Sequence, residues 1–130
     1  MVTRRRFVFG ALSMGALACT RGVVRSRTPR ITHGVQSGDV QTGRALIWAR
    51  CDEPARMVVE WDTTERFDRA RRVAGPVVGP ATDHAATVAI AGLPDAQTVC
   101  YRVRFERQAA RGDSAWVAGR FTTPRALHLV

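Results

Sequence analysis

A period of two decides what this chain can fold into. From Thr98 to Glu106 it reads T-V-C-Y-R-V-R-F-E, so Val99, Tyr101, Val103 and Phe105 alternate with polar positions. Steps of two put all four apolar side chains on one face of a strand, whereas a helix would scatter them. Weaker runs of the same kind recur along the chain. Ile31 to Gln36 is one, and Arg44 to Cys51 is another, with Leu46 and Trp48 expected inward. Arg56 to Asp62 carries Val58, Val59 and Trp61, and Thr87 to Ala91 is a shorter run. Ala115 to Thr122 has Trp116 and Phe121 as its expected anchors. Arg72 to Val78 is demoted to an edge strand by Pro76 and Pro80, since proline cannot donate to a ladder. Only Thr64-Glu65-Arg66-Phe67 fits a helical turn. Seven short strands divided by turn residues specify an all-β chain, most simply a β-sandwich.

One local spacing supports a sandwich. Gly92-Leu93-Pro94 closes a strand and Tyr101 follows inside the next. A tyrosine placed so can form a tyrosine corner, its hydroxyl bonding back to the backbone of the preceding turn.

The N-terminus has a different character. Thr3-Arg4-Arg5-Arg6-Phe7 sets three arginines, among them the pair Arg4-Arg5, before an uncharged apolar run from Phe7 to Ala18. That run is too short to span a bilayer, which takes about 20 apolar residues. A basic start, a short apolar segment and a small-residue exit make a secretory leader, helical while it lasts. Arg4, Arg5 and Phe7 mark it for the twin-arginine (Tat) translocase, and Ala16 and Ala18 set cleavage before Cys19. Cys19 is also where a lipidated cysteine would stand. Ala16 and Leu17 reverse the order of a good lipobox, however, so simple cleavage is preferred over a lipid anchor. The division expected is a signal peptide at 1–18, an arginine-rich linker at 19–30, a β-sandwich at 31–124 and the start of a further linker at 125–130. The product is expected in the periplasm or outside the cell.

The formal net charge is +9, and every base is arginine, because the chain has no lysine. Arg71-Arg72 is the one mature-chain arginine pair, and no aromatics are interleaved with it in the manner of a nucleic-acid module. Export removes the protein from cytoplasmic nucleic acid as well. Export also permits disulfides. Yet if Leu46 and Trp48 face inward, Cys51 faces out, and Cys100 also points away from the core in its strand. Two outward thiols on different sheets cannot come within the roughly 7 Å between Cα atoms that a disulfide needs. A Cys51–Cys100 bond is not expected.

Catalytic constellations are missing. Ser37 lies in G-V-Q-S-G, which has neither the spacing nor the strand-to-helix context of a nucleophile elbow. It reads as a turn, Ser37-Gly38-Asp39, with Gly38 free to take a positive φ. His33, His84 and His128, with Asp39 and Asp83 near two of them in sequence, lack the close paired spacing of metal ligands. No catalytic, cofactor-binding or metal-binding residue is therefore assigned.

The segment His33-Gly34-Val35-Gln36-Ser37-Gly38-Asp39, followed by Ala45-Leu46-Ile47-Trp48-Ala49-Arg50, resembles the opening of alkaline phosphatase D (PhoD-like) proteins. Val58-Val59-Glu60-Trp61, Gly92-Leu93-Pro94, Tyr101-Arg102-Val103-Arg104-Phe105 and Gly119-Arg120-Phe121-Thr122-Thr123 agree in the same order. Val40 departs from the family, which often has proline there. The resemblance implies a fibronectin-III-like or Ig-like N-terminal domain, and the twin-arginine leader fits it. It implies that a metallophosphoesterase domain follows, holding calcium and iron and cleaving phosphate mono- and diesters. No residue of that machinery maps onto this sequence. The expectation is a non-catalytic accessory domain from a truncated or split reading frame, inactive alone, with the catalytic domain and the Tat translocase as partners. The alternative is a stand-alone exported module that binds a glycan or protein partner. That role would need Trp61 and Trp116 exposed.

Overall fold

The computed structural model describes residues 27–108 and 112–127. Arg4, Arg5, Phe7, Ala16, Ala18, Cys19 and His128 lie outside the described residues. Seven strands follow in chain order: β1 (Ile31–Gln41), β2 (Arg44–Cys51), β3 (Ala55–Asp62), β4 (Arg71–Val78), β5 (Ala85–Ala91), β6 (Thr98–Glu106) and β7 (Val117–Thr122). One short 3-10 turn, Pro80–Thr82, precedes β5.

All pairings are antiparallel and form two sheets, β1-β2-β5 and β4-β3-β6-β7. The chain therefore changes sheet between β2 and β3, between β4 and β5, and again between β5 and β6. The fourth strand bonds to β3 and not to β5. That is the fibronectin type III arrangement of the sandwich, distinct from an Ig constant domain, where strand D joins the A-B-E sheet. β4 is an edge strand, as Pro76 required, while Pro80 falls beyond it in the 3-10 turn.

The core lies between the inner faces. β6 supplies Val99, Tyr101, Val103 and Phe105, all buried, as its alternation dictated. β3 adds Met57, Val59 and Trp61. β2 faces the opposite way from the sequence expectation. Its buried residues are Ala45, Ile47, Ala49 and Cys51, while Leu46 and Trp48 are half-buried on the outer face. Volume explains the choice. The four-stranded sheet already brings Phe105, Tyr101, Trp61 and Met57 into the core, and small side chains on β2 leave room for them.

Cys51 is accordingly a core residue, against the outward position expected for it, and its Sγ donates to the Glu53 carbonyl at 2.9 Å. Cys100 does lie on the outer face of β6, and both thiols are free. They remain apart because one points into the sandwich and the other out of it. Burial, its largest cause, raises the pKa of each thiol.

Ser37-Gly38-Asp39 is not a turn. β1 runs through it to Gln41, and the reversal comes at Thr42-Gly43, where Gly43 has φ +78°. The positive φ values within β1 belong to Gly34 and Asp39, not Gly38. They accompany breaks of register between Ile31 and Val35 and between Gly38 and Gln41. Such bulges let an edge strand bend. Thr64 to Phe67 closes as a turn, with the Phe67 amide donating to the Thr64 carbonyl.

Candidate interaction surface

Ser37 is half-buried in β1, and its hydroxyl contacts that of Tyr101. Tyr101 therefore reaches across the open seam between β1 and β7 to Ser37 and does not bond back to the Gly92–Pro94 turn. The tyrosine-corner expectation is corrected accordingly. Burial raises the phenol's pKa, and the Ser37 contact opposes that rise.

His33 and His84 lie near Asp83 at the margin of the three-stranded sheet. Arg50 holds this group together, donating to the Asp83 carbonyl at 3.0 Å and its carboxylate at 3.2 Å. Asp83 and His84 both adopt left-handed backbone, with φ of 53° and 56°. The Asp83 carboxyl is held below its ordinary pKa, first by the Arg50 hydrogen bond. Asp39 instead pairs with Arg44 and Gln41 on the opposite flank of the sheet. Among the described residues no three His, Cys, Asp or Glu side chains converge as a metal site. The donor set here does not fit calcium or iron.

The two tryptophans named as carbohydrate platforms do not serve. Trp61 is 5% exposed and belongs to the core. Trp116 is not a core anchor either. It precedes β7 on the outer face of the four-stranded sheet, covered by two guanidinium groups.

That outer face carries the most organised chemistry of the domain. β6 alternation turns Arg102, Arg104 and Glu106 outward, beside Glu60 of β3, Arg72 of β4 and Ala118 of β7. The Arg102 guanidinium sits between two rings, 4.4 Å from the centroid of Phe67 and 4.4 Å from that of Trp116. Arg104 lies 4.5 Å from the other part of the stack at Trp116. Arg102 Nε and Nη2 both donate to Glu60 Oε2, at 3.0 and 2.6 Å. Arg104 does the same to Glu106 Oε1, which also accepts from Arg72 Nη2. Burial alone would raise Glu106, but the arginine contacts outweigh it and its pKa is lowered. Beneath this layer Val58, which points away from the core, is fully buried.

A groove of about 350 Å³ adjoins the stack, lined by Glu65, Phe67, Cys100, Ala118, Gly119 and Arg120. β7 forms one wall. Past its end the chain is clamped. Thr123 is buried, and its hydroxyl donates to Pro94 O at 2.6 Å and accepts from the Gln97 amide at 3.0 Å. The Thr123 amide donates to Gln97 O, and the Ala96 amide donates to Pro124 O. Composition gave no sign of this clamp, because a threonine after a strand reads as a turn residue. The arginine stack did leave a signal in the R-V-R-F-E alternation, although sequence alone could not supply its aromatic partners.

Comparison with known proteins places this geometry. The family model for the PhoD-like phosphatase, N-terminal domain, matches residues 17–125. No curated protein sequence matches the chain. Among solved structures, one titled "Structure of PhoD" is similar at 21% identity with a TM-score of 0.59. That match covers 72% of this chain but only 19% of the PhoD chain. A computationally redesigned β-sandwich protein aligns over 74% of this chain and 95% of its own at 12% identity, TM-score 0.56. The fn3 domain of human collagen alpha-1(XX) aligns over 73% and 82% at 18% identity, TM-score 0.54. The structural matches share the sandwich fold, and the family model extends over most of the chain, from residue 17 to residue 125. The chain thus belongs to the family of PhoD-like phosphatase N-terminal domains.

Proposed function

We propose that this sandwich is the non-catalytic accessory domain of an exported PhoD-like phosphatase or phosphodiesterase. It crosses the membrane by the Tat pathway and packs against a metallophosphoesterase domain, in cis or as a partner from a split frame. The observation that carries the reading is the family match at 17–125 joined to the 19% coverage of the solved PhoD chain. On this reading hydrolysis, with its calcium and iron, belongs to the remainder of such a protein. The sandwich supports that remainder and shapes its approach.

Two measurements test it. The 130-residue chain, supplied with calcium and iron, is expected to turn over neither a phosphate monoester nor a diester. Joined to a PhoD-like phosphoesterase domain, the chain is expected to raise that domain's melting temperature or turnover. Hydrolysis by the sandwich alone, abolished by a chelator, would overturn the proposal. For export, residues 1–30 fused to a Tat-dependent reporter should deliver it outside the cytoplasm. Arg4→Lys with Arg5→Lys should block delivery.

A further inference from the structure

We propose that the outer face of the four-stranded sheet, from Trp116 to the groove beside Arg120, is the docking surface for a carboxylate-bearing face of the catalytic domain. The inference rests on the accessory-domain reading above. It adds which of the two outer faces is used and what chemistry meets it.

Three observations carry it. The first is preorganisation. Arg102 and Arg104 are already fixed by ring stacking and by paired bonds to Glu60 and Glu106. A partner binding there need not freeze long flexible side chains, which is a main cost of association. Tryptophan and arginine are also the residues most enriched at energetic centres of interfaces. The second is the supply of donors. Arg102 and Arg104 each commit Nε and Nη2 to one carboxylate oxygen, and a guanidinium has five N–H donors, so donors remain. Glu106 serves Arg72 and Arg104, Glu60 serves Arg72 and Arg102, and the longer pairs Arg104–Asp113 and Arg120–Glu65 leave the charge of the face nearly balanced. Its open N–H groups, rather than an excess of charge, suit a further carboxylate, the ligand whose geometry the guanidinium fork matches. The groove alongside, lined by Phe67, Cys100, Ala118 and Gly119 between Glu65 and Arg120, has room for an apolar side chain. A flat stack beside an apolar groove suits a protein better than a hydrated polyanion.

The third observation is position. The chain leaves the sandwich from β7, at the Thr123 clamp. Arg120, on the groove wall, is three residues earlier, about 10 Å along a strand at roughly 3.3 Å per residue. On the accessory-domain reading, a catalytic domain joined in cis would be tethered on this side. The competing face, with Leu46 and Trp48, lies on the far sheet, about 10 Å away through the sandwich.

The test is hydroxyl-radical footprinting of the two-domain polypeptide against the 130-residue chain. Oxidation of Trp116 and Phe67 is expected to fall at least fivefold in the two-domain protein, with Trp48 unchanged. Ala118→Arg and Arg120→Glu alter an exposed position and a side chain that is 73% exposed, so the sandwich should still fold. In the two-domain protein each should restore most of the lost oxidation. Protection at Trp48 and Leu46 instead, insensitive to these variants, would overturn the inference and leave the accessory-domain reading intact. No protection anywhere on the sandwich would overturn both. If the isolated chain binds polyphosphate or phosphatidylglycerol vesicles through Arg120 while the two-domain protein leaves Trp116 unprotected, the face serves a polyanion and the inference is wrong.

Discussion

Gly119→Ala tests how the seam between β1 and β7 is held. Gly119 pairs with Tyr101 across β6 and β7, and the tyrosine ring lies over the glycine. A Cβ at 119 would stand 2.5 Å from Tyr101 Cζ and 2.9 Å from Cε1. Contacts that short force a shift, and the ring has little freedom to make one. It is 2% exposed, packs 5.9 Å from the Phe121 ring, and ends on Ser37 of β1. Overpacking of this kind costs about 1–3 kcal/mol. Loss of the Ser37 contact adds about 0.5–1.5 kcal/mol. Alanine recovers about 0.4–1 kcal/mol through a less flexible unfolded chain. The net loss is about 0.5–4 kcal/mol, which for a domain of this size lowers Tm by at least about 2 °C. Urea unfolding followed by tryptophan fluorescence reads it directly. Ser37→Ala in the Gly119→Ala background should then cost almost nothing, because the contact is already broken. If Gly119→Ala stays within about 0.5 kcal/mol of the parent, the ring is not wedged as described and the argument fails.

Four further outcomes are expected. Trp116→Leu should cost about 1–2 kcal/mol through the lost arginine stacking and should uncover Val58, seen as faster amide exchange along β3. Native protein should react with a thiol reagent far more slowly than unfolded protein at both Cys51 and Cys100, and non-reducing mass mapping should find no bond between them. Stability should fall in alkali, because the folded state holds Tyr101 protonated above its ordinary value of 10.0; the loss sets in as pH rises past that value and is absent in Tyr101→Phe. Stability should also fall in acid, because Glu106 is held below its ordinary value of 4.5; that contribution is present above 4.5, lost as pH drops through the lower folded value, and removed in Glu106→Gln.

The legible parts of the sequence were those where one face is apolar and the other is not. β6 has a single solution, since turning it over would bury two arginines and a glutamate. β4 was readable from Pro76, which forbids a central place in a sheet. β2 was not readable. In A-L-I-W-A-R both alternating sets are apolar, and bulk alone points Leu46 and Trp48 inward. What turns the strand over is the volume arriving from the opposite sheet, which no local pattern records. β1 was hidden by its bulges, because Gly34 and Asp39 interrupt the alternation that would have carried the strand through Ser37. The candidate surface was half visible. The outward arginines of β6 follow from period two, but Phe67 comes from a loop and Trp116 from the residue before β7, so their meeting at Arg102 is a tertiary fact.

Strand β6 carries two duties on alternate residues, and that links stability to the surface. Its inward set builds the core, and its outward set holds the arginine stack through Glu60 and Glu106. Neither set can change register without destroying the other, because a slip of one residue exchanges the faces. The surface is therefore as rigid as the core that fixes it. The Thr123 clamp extends that rigidity to the point where the chain leaves the sandwich, with two side-chain bonds and two backbone bonds joining residues 123 and 124 to residues 94 to 97. On the docking proposed above, a fixed exit would keep the arginine stack and the groove turned toward the partner, whereas a frayed exit would let them turn away.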